Sequence, residues 1–150
     1  MNPSLMVLLV GGGVLLFGMT ALAQSRAPNA GSGGALTPQQ IAGYAAAAGF
    51  SGADLVTAVA IALAESGGNP SAYNPETAAG TPQGQGSYGL WQIYLYAHPE
   101  YQGVNLFDPA TNAGAAYAVY LGAGGFSPWS TYNSGAYQAY LGQANQGVNA

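Results

Sequence analysis

The chain has 150 residues, of which 4% are charged, and it contains no cysteine. This length suits one domain with appended segments. Arg26 is the only Lys or Arg, so the chain cannot neutralise a run of phosphates, and nucleic acid is excluded as a partner. The lack of cysteine excludes disulfides, a thiol nucleophile and cysteine-ligated metal sites.

The amino-terminal segment is apolar. Residues 5–23 carry no charge and are long enough, at about 1.5 Å per residue, to cross the bilayer core. We therefore predict a membrane anchor within residues 1–23. A cleaved signal peptide is the alternative, because residues 21–23 have the small-residue pattern of a cleavage site. The segment has no G-x-x-x-G pattern, so no oligomer is implied.

Residues 24–36 are rich in Gly, Ser, Asn and Pro, a composition typical of a flexible linker. A helical domain is predicted over residues 37–150. Thr37 and Gln40 form a capping-box pattern that begins its first helix, which ends at Gly49. A second helix begins after Ser51 and stops at Gly67. It is apolar on all sides, which predicts burial at the centre of the domain.

Three further helical segments follow. Asp108 and Pro109 begin a helix that reaches about Leu121, Ser127 and Pro128 begin a short helical turn, and residues 136–143 form the last helix. No segment alternates as a strand does. Residues 69–87 form a long Gly-, Pro- and Gln-rich segment, and loops of this length are often functional.

Glu65 lies at the end of the apolar second helix. Apolar neighbours and the negative end of the helix dipole both favour its protonated form, which predicts a raised pKa. The domain contains no Lys or Arg to pair with it, and His98 is the only cation available. A protonated carboxyl group suits a general acid. The alternative is a hydrogen-bonded core glutamate.

Three segments carry a family resemblance. Residues 65–70 (ESGGNP), 87–93 (SYGLWQI) and 131–135 (TYNSG) resemble the three ordered motifs of soluble lytic transglycosylases and goose-type lysozymes. Residues 105–109 and 126–132 further resemble lysozyme-like domains of bacteriophage virions. The resemblance implies an all-α, lysozyme-like fold that cleaves peptidoglycan glycan strands.

The resemblance also implies residue roles. Glu65 matches the catalytic acid, Gln92 a substrate-binding glutamine, and Tyr132 a tyrosine whose hydroxyl hydrogen-bonds the acid. The other motif positions assigned to substrate binding are Ser66, Gly89, Leu90, Ile93 and Asn133. Structural alternatives stand beside these roles: a surface residue for Gln92, a packed aromatic for Tyr132, a helix-end hydroxyl for Ser66 and a turn for Gly89. Trp91 and Trp129 are sugar-stacking or core residues.

Two reaction routes fit these residues. In the favoured one, Glu65 acts as acid and then base, and the muramic acid 6-hydroxyl attacks to give a 1,6-anhydro product. In hydrolysis, a water attacks with help from a second carboxylate, for which Glu76 is the only candidate. A non-catalytic glycan-binding virion or envelope component is the alternative from another class.

The remaining expectations concern location and ligands. We expect no cofactor and no metal, and His98 is interpreted as a surface residue. The partners predicted are peptidoglycan glycan strands and, through residues 5–23, a membrane. The catalytic domain is expected outside the cytoplasm, in the periplasm or cell envelope, or on a virion.

Overall fold

The computed structural model describes residues 34–150. Five helices are present in this range: α1 (Pro38–Ala48), α2 (Gly52–Ser66), α3 (Pro109–Ala123), α4 (Ser130–Asn133) and α5 (Leu141–Val148). Three short 3₁₀ turns lie at Thr77–Ala79, Pro99–Tyr101 and Ala136–Tyr140. The predicted anchor at residues 5–23 and the linker up to residue 33 lie outside the described residues. None of the helices described is long and apolar enough to span a membrane.

The helix-end predictions are largely confirmed. The Thr37 side chain accepts from the Gln40 backbone N–H while the Gln40 side chain accepts from the Thr37 N–H, so the capping box is complete. Asp108 caps α3 through the Thr111 N–H at 2.9 Å. Ser51 precedes α2 but makes no side-chain cap. Local hydrogen bonds set these ends, which is why sequence alone predicts most of them.

Burial centres on α2. Six consecutive residues, Ala58–Leu63, are buried, which confirms the predicted central helix. α1, α4, α5 and the 3₁₀ turn before α5 pack around it. Leu36, which lies inside the predicted linker, is also buried, and its N–H donates to the Gly68 carbonyl at 2.8 Å. The packed part of the chain therefore begins before Thr37.

The prediction of an all-α domain without strands is wrong in one respect. Three two-residue strands, β1 (Tyr73–Asn74), β2 (Ser87–Tyr88) and β3 (Ile93–Tyr94), form an antiparallel sheet in the order β1-β2-β3. Two residues are too few to show an alternating pattern, so the strands left no sequence signal. The sheet draws the long segment at residues 69–87 into the fold.

A buried asparagine anchors the turn between β2 and β3. Asn112 is fully buried in α3, and its Oδ1 accepts from the Trp91 N–H at 2.9 Å. Its Nδ2 donates to the carbonyls of Tyr88 and Leu106, at 2.8 and 2.9 Å. A buried amide must find partners for all its polar groups, so this arrangement fixes the turn against α3.

Gly89 makes that close approach sterically feasible. Its φ is 76°, and an added Cβ would meet the Leu106 carbonyl oxygen and the Asn112 side chain at well below contact distance. Gly103 has a similar φ of 80°, but open space surrounds its missing Cβ. Substituting alanine at each position therefore distinguishes the cost of backbone strain, which both share, from the cost of a steric clash, which arises only at Gly89.

We expect Gly103→Ala to lower the free energy of unfolding by about 1 kcal/mol, the cost of a left-handed alanine. Gly89→Ala should cost at least about 2 kcal/mol more, because the turn must also move away from Asn112. Urea unfolding of both variants measures the difference. Equal losses would contradict the close packing described at Gly89.

Candidate active site

Glu65 lines a cavity between the helices and the sheet. It is the penultimate residue of α2, and the backbone leaves the helix at Gly67 with a φ of 62°. The cavity has a volume of about 210 Å³. Its lining residues are Glu65, Glu76, Ser87, Gln92, Ile93, Tyr94, His98, Val119, Pro128, Trp129 and Ser130.

A larger groove of about 500 Å³ lies elsewhere, along α1 and the end of α5. No acidic or basic side chain lines it. General acid catalysis needs a titratable group within reach of the substrate. The smaller cavity around Glu65 is therefore the candidate active site, despite its size.

The environment of Glu65 raises its pKa above the ordinary value of 4.5. Burial is the main cause, because it penalises the charged form. Hydrogen bonds from Thr131 oppose the shift, and the charge of Glu76 adds to it. The raised pKa predicted from the apolar helix end is thus confirmed in direction.

Thr131, rather than Tyr132, holds the acid. The Thr131 hydroxyl donates to Glu65 Oε1 at 2.7 Å. No hydrogen bond joins Tyr132 to Glu65 in residues 34–150; the Tyr132 ring packs on Tyr137 and Phe126, with centroids 5.0 and 5.5 Å away. The predicted Tyr132 contact is therefore wrong, because α4 turns the neighbouring side chain towards the acid.

Glu76 faces the same cavity as Glu65. Its Oε1 accepts from the Ser87 hydroxyl at 2.8 Å and from the Asn74 amide at 3.1 Å. Asn74 and Ser87 are paired across β1 and β2, so the sheet fixes this carboxylate. Glu76 itself has a φ of 53°, an uncommon left-handed conformation for a residue other than glycine. The second candidate carboxylate is thus positioned rather than free in a loop.

Gln92 also lines the cavity, and its amide orientation is determined. Nε2 donates to the carbonyls of Gly89 and Ala72, at 2.9 and 3.2 Å. Both partners are acceptors, so the nitrogen must point at them. The Oε1 atom accepts no hydrogen bond from residues 34–150, which leaves an acceptor for a ligand hydroxyl or amide N–H.

The other predicted substrate-binding residues divide into two groups. Ile93 is buried and lines the cavity. Leu90 is fully buried in the core, where its side chain cannot reach a ligand. Gly89 is packed against Leu106 and Asn112, as described above. The Leu90 assignment is therefore corrected to a packing role. Gly89 allows the close approach of adjoining chain, which was expected from the sequence beside close approach of a sugar.

Two further assignments are corrected. The Ser66 hydroxyl donates to the Ala62 carbonyl, one helical turn back, at 2.9 Å. The Asn133 amide donates to the Ser127 carbonyl at 2.8 Å. Neither residue lines the cavity. Both side chains satisfy nearby backbone groups, as short polar side chains commonly do at helix ends.

The two tryptophans belong to the core. Trp91 is buried, and its Nε1 donates to the Ala58 carbonyl at 2.9 Å. Trp129 donates in turn to the Trp91 carbonyl at 2.9 Å, and it also contributes to the cavity wall. These bonds link α2 to the segment that precedes α4. Thr131 lies in α4. Both rings therefore position the site rather than form an exposed platform.

His98 is not the simple surface residue predicted. It lines the cavity, its side chain is 27% exposed, and its Nδ1 lies 3.2 Å from Glu100 Oε1. Sequence reasoning also gave no role to Thr131 or Asn112. Thr131 lies in the third motif, so its position in that motif could have indicated a role. No neighbouring residue pattern indicates a role for Asn112. No His, Asp and Glu cluster in the described range is suited to a metal ion.

This combination of features defines a class of protein. A mostly helical domain, a small antiparallel sheet beside a cleft, and an acid of raised pKa at the end of a buried helix are the features of a lysozyme-like domain. The family model described as a lysozyme-like domain matches residues 42–131, more than half of the chain. The chain therefore belongs to this family, which supports a glycosidase or transglycosylase that acts on peptidoglycan. No curated protein and no solved structure matches the chain.

The Thr131 contact predicts a shift in the titration of Glu65. Thr131→Val removes a donor that favours the carboxylate, so the pKa of Glu65 should rise further. Tyr132→Phe is the matched control and should leave it unchanged. The chain contains three glutamates, so ¹³C-labelled glutamate and a pH titration by NMR resolve each carboxyl group. If the pKa of Glu65 shifts in Tyr132→Phe and not in Thr131→Val, Tyr132 is the hydrogen-bond partner of Glu65, as the sequence predicted.

The raised pKa also predicts a pH-dependent cost in stability. The folded state binds the Glu65 proton more tightly than the unfolded chain does. Proton binding at Glu65 therefore stabilises the folded state, and this contribution is complete below the ordinary pKa. It is lost as the pH rises through the folded-state pKa. Glu65→Gln should therefore become increasingly stable relative to wild type as the pH rises above the ordinary pKa of 4.5, until the folded-state pKa is passed. Urea unfolding across this range measures the difference, and a constant difference would contradict the shift.

Proposed function

We propose that the domain cleaves the β-1,4 bond between N-acetylmuramic acid and N-acetylglucosamine in peptidoglycan glycan strands, with Glu65 as general acid. The observation that carries this proposal is the raised pKa of Glu65 in a cavity that it shares with Glu76. A carboxyl group with a raised pKa keeps its proton to a higher pH, and it can transfer that proton to a glycosidic oxygen. Family membership supports the same substrate class.

Hydrolysis is the route that the positioned Glu76 favours. Glu65 donates its proton to the leaving oxygen while the bond from that oxygen to the anomeric carbon breaks. Water attacks the anomeric carbon, and Glu76 accepts the proton that the water loses. Ser87 and Asn74 occupy Glu76 Oε1, which leaves Oε2 for the water. The side-chain Oε1 of Gln92, which accepts no hydrogen bond from residues 34–150, is placed to accept one from a sugar hydroxyl or acetamido N–H.

Intramolecular attack by the muramic acid 6-hydroxyl, the route favoured from the sequence, is the second candidate. The observation that favours it is that Glu76 Oε1 already accepts hydrogen bonds from Ser87 and Asn74, so that oxygen is engaged and not open to an attacking water. Glu65 then acts first as acid and afterwards as base. The nucleophile and the reacting carbon belong to one sugar, so proximity assists the step.

The substrate lies outside the cytoplasmic membrane, so placement of the domain there is part of the proposal. Residues 1–36, with the predicted anchor or signal segment, are the part of the chain proposed to direct it. A non-catalytic glycan-binding role is the competing reading. A binding module has no need for an acid whose charged form is penalised by burial, and Glu65 therefore favours catalysis.

We expect Glu65→Gln to keep the fold and lower kcat on purified peptidoglycan by at least about 100-fold, since an amide cannot supply the proton. Asp54→Asn is the control: it makes the same acid-to-amide change, but Asp54 contacts Tyr120 and does not line the cavity. Wild-type activity in folded Glu65→Gln would overturn the proposal.

Mass spectrometry of the released muropeptides separates the two routes. Hydrolysis gives reducing ends, and Glu76→Gln should then lower kcat by about 100-fold. Products lighter by one water, with activity retained in Glu76→Gln, would show intramolecular attack instead.

A further inference from the structure

Two residues other than glycine have a positive φ in residues 34–150: Glu76 at 53° and Gln92 at 47°. Every other residue of positive φ in that range is a glycine. A Cβ is crowded by the adjoining carbonyl in this conformation, so glycine is the usual residue there. Both exceptions line the candidate active site. Strain of this kind persists only where the surrounding structure enforces it, and it clusters at functional sites.

Gln92 lies between two fixed parts of the chain. On one side, Ile93 belongs to β3, which pairs with β2. On the other side, the Trp91 N–H donates to Asn112 Oδ1 at 2.9 Å, and the Trp91 carbonyl accepts from Trp129 Nε1 at 2.9 Å. That carbonyl lies in the planar peptide whose rotation about the N–Cα bond of Gln92 defines φ. The hydrogen bond from Trp129 therefore restrains the φ of Gln92.

The strained backbone determines where the Gln92 side chain points. Its Nε2 donates to the carbonyls of Gly89 and Ala72, which leaves Oε1 unengaged by residues 34–150. A rotation of the preceding peptide to a negative φ would swing the Cα–Cβ bond and move this oxygen. The strained conformation therefore costs stability and keeps a ligand acceptor at the cavity.

Trp129 connects this glutamine with the acid. It directly precedes α4, in which the Thr131 hydroxyl donates to Glu65. Its indole is buried, with 5% of the residue exposed, and donates to the peptide before Gln92. One residue thus joins the two polar groups that the proposed reaction assigns to proton transfer and to sugar binding.

We propose that Trp129 is a positioning residue, whose indole N–H holds Gln92 in the strained conformation in which Oε1 binds the substrate. Gln92 occupies a position that suits glycine because its amide is required for binding. The inference rests on the proposed function for the identity of the ligand. The substrate group concerned is a sugar hydroxyl or acetamido N–H, since Oε1 can only accept a hydrogen bond.

The strain is measured by comparing alanine with glycine at position 92, since neither carries the amide. The equilibrium constant for unfolding in urea should be about fivefold smaller for Gln92→Gly than for Gln92→Ala, because only alanine retains the strained Cβ. In a Trp129→Phe background the indole donor is lost and the turn can relax, so this difference should vanish. A purely structural loss at Trp129 would destabilise both variants equally and leave the difference intact.

Trp91→Phe is the matched control for this comparison. It also removes an indole donor, which bonds the Ala58 carbonyl at 2.9 Å, but it leaves the bond from Trp129 to the backbone in place. The fivefold difference between alanine and glycine should therefore persist in a Trp91→Phe background.

Substrate binding gives the second readout, with soluble uncross-linked glycan strands as the probe. Gln92→Ala and Trp129→Phe should each raise KM about fivefold with little change in kcat, because each variant loses one neutral hydrogen bond to the substrate. The double variant should raise KM no further, since Trp129 acts through Gln92.

Equal stability of Gln92→Ala and Gln92→Gly overturns the inference, and this comparison does not require Trp129→Phe to fold. A difference that Trp129→Phe leaves unchanged also overturns it. So does an additive rise of KM in the double variant, because the indole then contacts the glycan itself. If wild type cleaves no glycan, equilibrium binding in a Glu65→Gln background replaces KM. The expected stabilities and affinities in that case mean that the cleavage proposal fails and the role of Trp129 stands.

Discussion

The site depends on a partly buried carboxyl group that has no Lys or Arg partner. α2 is buried along six consecutive residues, and Glu65, two residues beyond this run, is partly shielded from water at the helix end. A Lys or Arg nearby would favour the carboxylate and cancel the effect of burial. The domain contains neither. The Thr131 hydroxyl donates to Glu65 without adding a charge and favours the carboxylate, but the effect of burial is larger, so the pKa of Glu65 stays above its ordinary value.

Buried hydrogen bonds hold the rest of the cleft in register with that acid. Asn112 fixes the turn after β2 to α3, and Gln92 closes the same turn through its amide. Trp91 and Trp129 connect this turn to α2 and to the segment that precedes Thr131. Inside a protein, such bonds are costly to leave unmade. They therefore specify one arrangement of segments that are far apart in sequence.

The cleft combines opposite electrostatic demands. Burial raises the pKa of Glu65, whereas Glu76 accepts hydrogen bonds from the Ser87 and Asn74 side chains. Two carboxyl groups in different environments can take the separate roles of acid and base. His98 adds a third kind of group at the cavity wall, paired with Glu100. The proposed reaction uses the difference between the two carboxyl groups.

The sequence by itself determined the features that depend on neighbouring residues. The cap at Thr37, the buried helix and the acid at its end follow from patterns that span a few residues, and the ordered motifs indicated the family. Tertiary structure decided which side chains meet. In the folded domain, Thr131 and not Tyr132 hydrogen-bonds Glu65. Leu90 is buried in the core, and Glu76 and His98 line the cavity. These outcomes could not be read locally, because the strands are two residues long and the Asn112 contacts join segments up to 24 residues apart.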